Sequence, residues 1–230
     1  MDISKLQDTA YYVFDFRALG QRIDDLRGLL GGNIRLAYAI KANPFLVKGA
    51  LPRVERLEIC PPGESRICDA LGVDPAATVI SGINKTPAFI EELVANTDGR
   101  IYTVESLTQF ELLDRLSGKY GKKLKILLRL TNDSQFGINE EDIEALVRYR
   151  GDHPGLDYRG IQFFSGTQKT SLKKLRREIL HTLAEADLLQ NLFGRNGILA
   201  QLACDLHIFQ RGHIGQKIIK LEHKPDAVPA

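Results

Sequence analysis

Apolar positions along this chain follow two rhythms. Short unbroken runs occur at Ile34–Ile40, Leu57–Cys60, Thr78–Ser81, Ile101–Val104, Leu124–Leu130 and Tyr158–Phe164, and they read as strands, with Tyr11–Phe14 as a further short β-type run. Runs without polar alternation suit strands buried on both faces, as in parallel sheets. Between them the period lengthens. Leu19, Ile23, Leu26 and Leu30 fall at helical spacing within Ala18–Leu30, and Gly31-Gly32 supplies the stop. Further helices are expected at Phe45–Val54, where Pro52 limits the end, and at Ser65–Leu71. Others are expected at Pro87–Ala95, with proline in its first turn, Leu107–Leu116, Glu140–Tyr149 and Ser171–Leu189. Strand and helix alternate through short loops, which is the rhythm of βαβ units with right-handed crossovers.

About six such units lie between Asn33 and Leu189, against the eight of a closed barrel. The expected fold class is therefore α/β, a parallel barrel incomplete at its C-terminal side, with two open sheet edges. After Leu189 the rhythm is lost. Ile198–Cys204 and Lys217–Leu221 are candidate strands with no helices of useful length between them. The expected organisation is one unit from Tyr11 to Leu189 and a divergent tail over residues 190–230.

Charge adds little direction. Thirty-one Lys and Arg against 29 Asp and Glu leave a net +2, and the basic residues are scattered, so neither nucleic acid nor an anionic membrane is indicated as a partner. No apolar run is long enough to span a bilayer. The opening MDISKLQDTA has two aspartates and no hydrophobic stretch, so no secretory signal is expected. Cys60, Cys68 and Cys204 are odd in number and irregularly spaced, which suits a reducing cytoplasm better than a disulfide framework. His207, His213 and His223 lie six and ten residues apart, too far for the usual zinc spacing, and no metal site is expected.

Candidate chemistry concentrates at Lys41, where the Ile34–Ile40 run ends and Ala42-Asn43-Pro44 breaks the strand. A lysine closing a strand is otherwise a solvated rim residue, or a stabilising one at the bottom of a barrel. At the C-terminal end of a parallel barrel strand it stands on the active-site face. If partly desolvated it loses its proton more readily and becomes a nucleophilic amine, the group that makes a Schiff base with a carbonyl or with pyridoxal phosphate.

The string Tyr38-Ala39-Ile40-Lys41-Ala42-Asn43-Pro44 closely resembles the Tyr-Ala-(Val/Ile)-Lys-Ala-Asn signature of fold-type III pyridoxal-phosphate enzymes, the ornithine, diaminopimelate and arginine decarboxylases, with alanine racemase more distant. The resemblance implies that Lys41 is the cofactor lysine. Glu58–Glu64 (EICPPGE) resembles the family's Asp-Val-Ala-Ser-Gly-Gly-Glu turn, which would put Glu64 beside the cofactor ring, although a Pro-Pro-Gly turn can be plain chain reversal. Ser81–Thr86 (SGINKT) resembles the Gly-Asn-Asn-Lys-Ser segment, and Lys85 within it is expected on the rim or at a helix start. Ile101–Leu113 resembles a strand–helix segment with Glu105 in place of an aspartate; Ser106 and Gln109 suit a capping box, and the segment is expected to be mainly structural.

Arg129 interrupts an apolar strand, where a guanidinium needs a carboxylate or phosphate partner; the matching family arginine lies in the cofactor region. Gln135-Phe136-Gly137-Ile138 resembles the Lys-Phe-Gly-(Val/Ile) turn, with glutamine for lysine. Gly160–Gln168 (GIQFFSGTQ) resembles Gly-Leu-His-Cys-His-(Ile/Val)-Gly-Ser-Gln. Phe164 then stands where the family's ring-stacking histidine stands, and Gln162 replaces the first histidine. Phe164 can stack but cannot donate a hydrogen bond. Gly166 and Thr167 fall where the family meets the cofactor phosphate, and such a turn can supply N–H groups and a hydroxyl to an anion.

The resemblance runs from about Tyr11 to Leu189 and stops before the family's later glycine-rich phosphate loop, its Glu-Pro-Gly-Arg segment and its β-domain. It implies decarboxylation of a basic or dibasic amino acid with pyridoxal phosphate as cofactor, diaminopimelate first and ornithine or arginine behind it, in a cytoplasmic homodimer. Two rivals stand beside it: a non-catalytic homologue that acts by binding, favoured by the lost histidine, and an alanine-racemase-like enzyme.

Overall fold

The computed structural model describes residues 12–30, 34–131, 136–164 and 199–203, together with Arg177 and Leu180 as helical positions. Seven parallel strands lie side by side in chain order: β1 (Ala37–Ala39), β2 (Arg56–Ile59), β3 (Thr78–Ile80), β4 (Ile101–Val104), β5 (Leu124–Leu130), β6 (Leu156–Phe164) and β7 (Leu199–Ala203). The helices are α1 (Phe16–Leu30), α2 (Val47–Ala50), α3 (Pro62–Ala70), α4 (Pro87–Asn96), α5 (Leu107–Tyr120) and α6 (Glu140–Arg148). A parallel sheet in strictly sequential order, with crossover helices between strands, is a barrel laid open.

Strand parity separates two faces. Leu57, Ile59, Ile80, Tyr102, Val104, Ile126, Leu128, Leu130, Ile161 and Phe163 join the apolar sides of α4, α5 and α6 in one continuous core. Residues of the opposite parity face the inside of the array. Val79, Ile101 and Leu127 form a small second cluster there. The register places Ala39 beside Glu58 and Glu58 beside Val79, and further along it places Arg129 beside Gln162. Burying the outer parity against helices is the main stabilising term, at roughly 25 cal/mol per Å² of apolar area removed from water.

Several expected elements differ from those observed. Residues 12–15 form no strand. The Ile34–Ile40 run shortens to three paired residues and is not buried on both faces; Ile34 is 45% exposed. The reason is position: among the described residues β1 pairs only with β2, so one edge stays solvated. Phe45–Val54 breaks into a 3₁₀ turn, the short α2 and a second 3₁₀ turn containing Pro52, which cannot donate into a longer helix. The Pro61-Pro62-Gly63-Glu64 turn is in fact the start of α3, with Pro62 in its first turn. The candidate strand Ile198–Cys204 is realised as β7, parallel to β6, with Phe164 beside Ala203. It adds a seventh strand to the six expected. Ser171–Leu189, apart from the two helical positions, and Lys217–Leu221 lie outside the described residues.

Candidate active site at the C-terminal strand ends

Lys41 follows β1 directly, in a 3₁₀ turn over Ile40–Ala42. Ile40 turns outward and is fully buried, and the turn leaves Lys41 exposed at the mouth of the inner face. Among the described residues nothing covers this lysine, in keeping with the rim position that a strand-closing lysine ordinarily takes. Asn43 fixes the next turn. Its side chain accepts from Phe45 N–H at 3.0 Å, and its carbonyl accepts from the Tyr38 hydroxyl at 2.8 Å. The Ala-Asn-Pro break is thus held at both ends.

Phe164 ends β6 on the same inner face. The Lys41 Nζ lies 5.4 Å from the centre of its ring, and the Arg129 guanidinium carbon lies 5.6 Å from it. Phe136 takes the same guanidinium at 5.6 Å. Phe136 gets there because the loop folds back over the end of β5. Ile138 N–H donates to Arg129 O at 2.7 Å and Thr131 N–H to Ile138 O at 2.9 Å. Gly137 makes that return possible: its φ is +92°, and a Cβ there would sit 2.7 Å from Thr131 N.

Arg129 finds the carboxylate its burial requires. Its Nη1 bonds Glu105 Oε2, and the Glu105 side chain is fully buried. Glu105 Oε1 faces Lys85 Nζ at 3.3 Å. Lys85 is not the rim residue expected from the sequence. Its side chain is 1% exposed and donates to Gly82 O, to Thr103 Oγ1 at 3.1 Å and to Gln109 Oε1 at 3.4 Å. Burial pulls its pKa down from 10.5 to about 8, against the opposing pull of Glu105. The segment around Glu105 is accordingly more than structural. The helix cap does form, with Gln109 N–H donating to Ser106 Oγ at 3.3 Å, but the Gln109 side chain reaches back to Glu105 N–H at 3.0 Å.

Glu64 sits in the first turn of α3 and accepts from Cys60 N–H at 2.8 Å. Partial burial raises its pKa, opposed by that N–H and by the nearby charge of Lys41. Cys60 is half-buried, and burial followed by the Glu58 charge pushes its thiol up to about 11, so it remains neutral. Cys68 is in the core, as a small apolar residue would be. Lys41, Glu64, Arg129 and Phe164 thus gather at one end of the sheet, while Gly166 and Thr167 lie outside the described residues. The sequence reading put Lys85 on the rim or at a helix start; the available signal for burial was its place five residues after β3 closes, at the same end as Lys41. Among the described residues no group of His, Cys, Asp and Glu could hold a metal, and no helix is long and apolar enough to cross a membrane.

A sequential parallel β/α array with a lysine and an arginine converging at its C-terminal strand ends is the architecture of a pyridoxal-phosphate-binding barrel. The family model for the alanine racemase N-terminal domain matches residues 14–193, and the chain belongs to that family, the fold-type III pyridoxal-phosphate domain. Among curated relatives, diaminopimelate decarboxylase of Aquifex aeolicus is 25% identical over 197 residues, covering 77% of this chain and 46% of the relative. The Vibrio cholerae diaminopimelate decarboxylase is 28% identical over 191 residues, covering 74% and 45%. The chain spans about half the length of the curated relatives it matches. The fold is shared with the Helicobacter pylori diaminopimelate decarboxylase solved with L-lysine, at a TM-score of 0.73, 20% identity, and coverage of 89% of this chain and 55% of that one.

The residues present fit the cofactor of this family. The mouth offers an amine at Lys41, a guanidinium at Arg129 and an aromatic face at Phe164. The Gln162 side chain, 2% exposed and next to Arg129 in register, has an Oε1 with no hydrogen-bond partner. A buried acceptor left orphaned costs about 1–3 kcal/mol, so it marks a place for a donor.

Proposed function

We propose that this chain is the cofactor-binding part of a pyridoxal-phosphate-dependent decarboxylase of the diaminopimelate type, with Lys41 as the residue that carries the cofactor. The carrying observation is Lys41 at the end of β1, 5.4 Å from the Phe164 ring and sharing that ring with Arg129. When bound, pyridoxal phosphate supplies an electron sink for the bond-breaking at the amino acid's α-carbon. The protein's own residues do the rest. Lys41, solvated and on a short turn, presents its Nζ to the mouth and can hold or return a proton there. Phe164 offers an apolar face for a flat ring but neither a proton nor a charge. Arg129, fixed between two aromatic rings and Glu105, orients an anionic oxygen. Glu64 sets a carboxylate near Lys41. Gly166 and Thr167 are proposed as the phosphate turn. Residues 11–189 are proposed as the cofactor unit and 190–230 as a divergent segment. The proposed substrate is a basic or dibasic amino acid.

The specific observation for a second reading is Phe164 itself. With a phenyl ring and Gln162 where relatives by resemblance carry histidines, a chain that binds the cofactor without turning over is the alternative. One experiment addresses the binding step. The protein is incubated with pyridoxal phosphate, reduced with borohydride and mapped by peptide mass. Pyridoxyl on Lys41 and its loss in Lys41→Ala support the proposal; equal labelling of surface lysines overturns it. Carbon dioxide release from diaminopimelate, ornithine or arginine then separates turnover from binding alone.

A further inference from the structure

Two cations share one carboxylate at the heart of the mouth. Lys85 and Arg129 hold opposite oxygens of Glu105, and all three side chains are at most 10% exposed. The trio carries one positive charge in excess. Among the described residues that face Lys85, no further carboxylate cancels it. On β4 it meets Thr103 and Glu105, on α5 Gln109, from β5 Arg129, and beyond β2 the thiol of Cys60, which is neutral. Glu58 and Glu64 act on Cys60 and on one another, and Glu64 feels Lys41. The three donations of Lys85 to Gly82 O, Thr103 and Glu105 fix the carboxylate from behind. Glu105 in turn has one direction left for Arg129, toward the gap between Phe136 and Phe164. Gln162 lies beside Arg129 in register, and its unpartnered Oε1 calls for a donor, so the two side chains offer complementary polar groups at the end of β5 and β6.

We propose that Lys85 is a positioning residue which, through Glu105, aims Arg129 and leaves the Arg129 side of the mouth net positive, so that the site holds an anionic oxygen of a phosphorylated pyridine. The inference rests on the cofactor reading given above. It also makes anion binding depend on the protonation of a lysine that never touches the ligand. As that lysine loses its proton, the trio falls from one net positive charge to none.

The test uses the full chain and pyridoxine 5′-phosphate, whose alcohol cannot link to Lys41. Binding is followed by ligand fluorescence from pH 7 to 9.5. Lys85→Met is expected to bind severalfold more weakly than wild type at pH 7, the effect of losing one buried positive charge that acts through Glu105 and Arg129. Wild-type affinity should fall toward that of the variant as pH passes about 8. Lys85→Arg keeps its charge throughout, so its affinity relative to wild type should rise across the same range. Ionisation of the ligand is common to all three proteins and cancels in the ratios. Equal affinities for wild type and Lys85→Met, or a wild type to Lys85→Arg ratio that does not change with pH, overturn the inference and leave the cofactor reading standing. The second comparison holds even if Lys85→Met does not fold. A wild type that binds no pyridoxine 5′-phosphate at any pH fails the cofactor reading itself, and this inference with it.

Discussion

Replacing Lys85 with Met removes a buried charge whose cost to the fold depends on pH. The ammonium is 1% exposed, and burial brings its pKa from 10.5 down to about 8. The unfolded chain holds the proton up to about pH 10.5, whereas the folded chain releases it near 8. Between those values the unfolded state binds more protons, so stability rises with pH. The gap is worth about 3 kcal/mol over the whole titration at 1.36 kcal/mol per pH unit, and most of it falls between pH 7 and 10. Urea unfolding of wild type and Lys85→Met at pH 7, 8, 9 and 10 isolates the lysine, because every other group titrates in both proteins. The expected result is a wild-type curve that climbs relative to the variant by ~2–3 kcal/mol, with most of the change above pH 8. Parallel curves would refute the reasoning. They would mean that the bonds to Glu105, Thr103 and Gly82 compensate fully for the loss of water around the ammonium.

The remaining predictions use the same neighbourhood. Glu105→Gln leaves Lys85 and Arg129 buried without a counter-charge, and denaturant unfolding should show a loss of about 3–5 kcal/mol. Gly137→Ala must adopt φ near +92° and crowd Thr131 N, so a loss of about 1–3 kcal/mol is expected in the same assay, with weaker binding of pyridoxine 5′-phosphate as Phe136 leaves Arg129. Ser106→Ala removes the cap of α5, and thermal unfolding should register a loss of about 1 kcal/mol. Phe164→Ala takes away the ring shared by Lys41 and Arg129, and the yield of reduced pyridoxyl on Lys41 should drop severalfold while the fold, followed by circular dichroism, persists.

Period and parity made most of the barrel legible from sequence. Leu57–Cys60, Thr78–Ser81, Ile101–Val104 and Leu124–Leu130 end within a residue of the observed strands, because an unbroken apolar run in a parallel sheet has no other stable use. The same logic failed at Ile34–Ile40. Apolar content does not reveal whether a strand is central or at an edge, and an edge strand buries only what its single neighbour covers. Tyr11–Phe14 failed for a related reason: β-favouring residues need a partner strand, and residues 12–15 have none. Ile198–Cys204 lay in the stretch after Leu189 where the strand–helix rhythm is lost, yet it pairs with β6.

The site was legible in a different way, and unevenly. Lys41 and Phe164 were found by resemblance, and Arg129 by the physical demand that a guanidinium in an apolar strand find a partner. Resemblance reached Lys85 but put it on the rim, since a lysine in an Asn-Lys-Thr turn before a helix gives no local sign of burial. Only register shows it: Thr103 and Glu105 share the inner parity of β4, and a chain leaving β3 beside them carries Lys85 inward over those residues. The consequence is an ordering of constraint around the mouth. Lys41 stands on an exposed turn at a sheet edge, and its Nζ makes a ring contact with Phe164 at 5.4 Å. Arg129 is held by a buried ion pair, two aromatic rings and the folded-back loop at Gly137. The β4–β6 side of the mouth is therefore the more heavily bonded one, and the β1 side, where Lys41 stands, the more solvated.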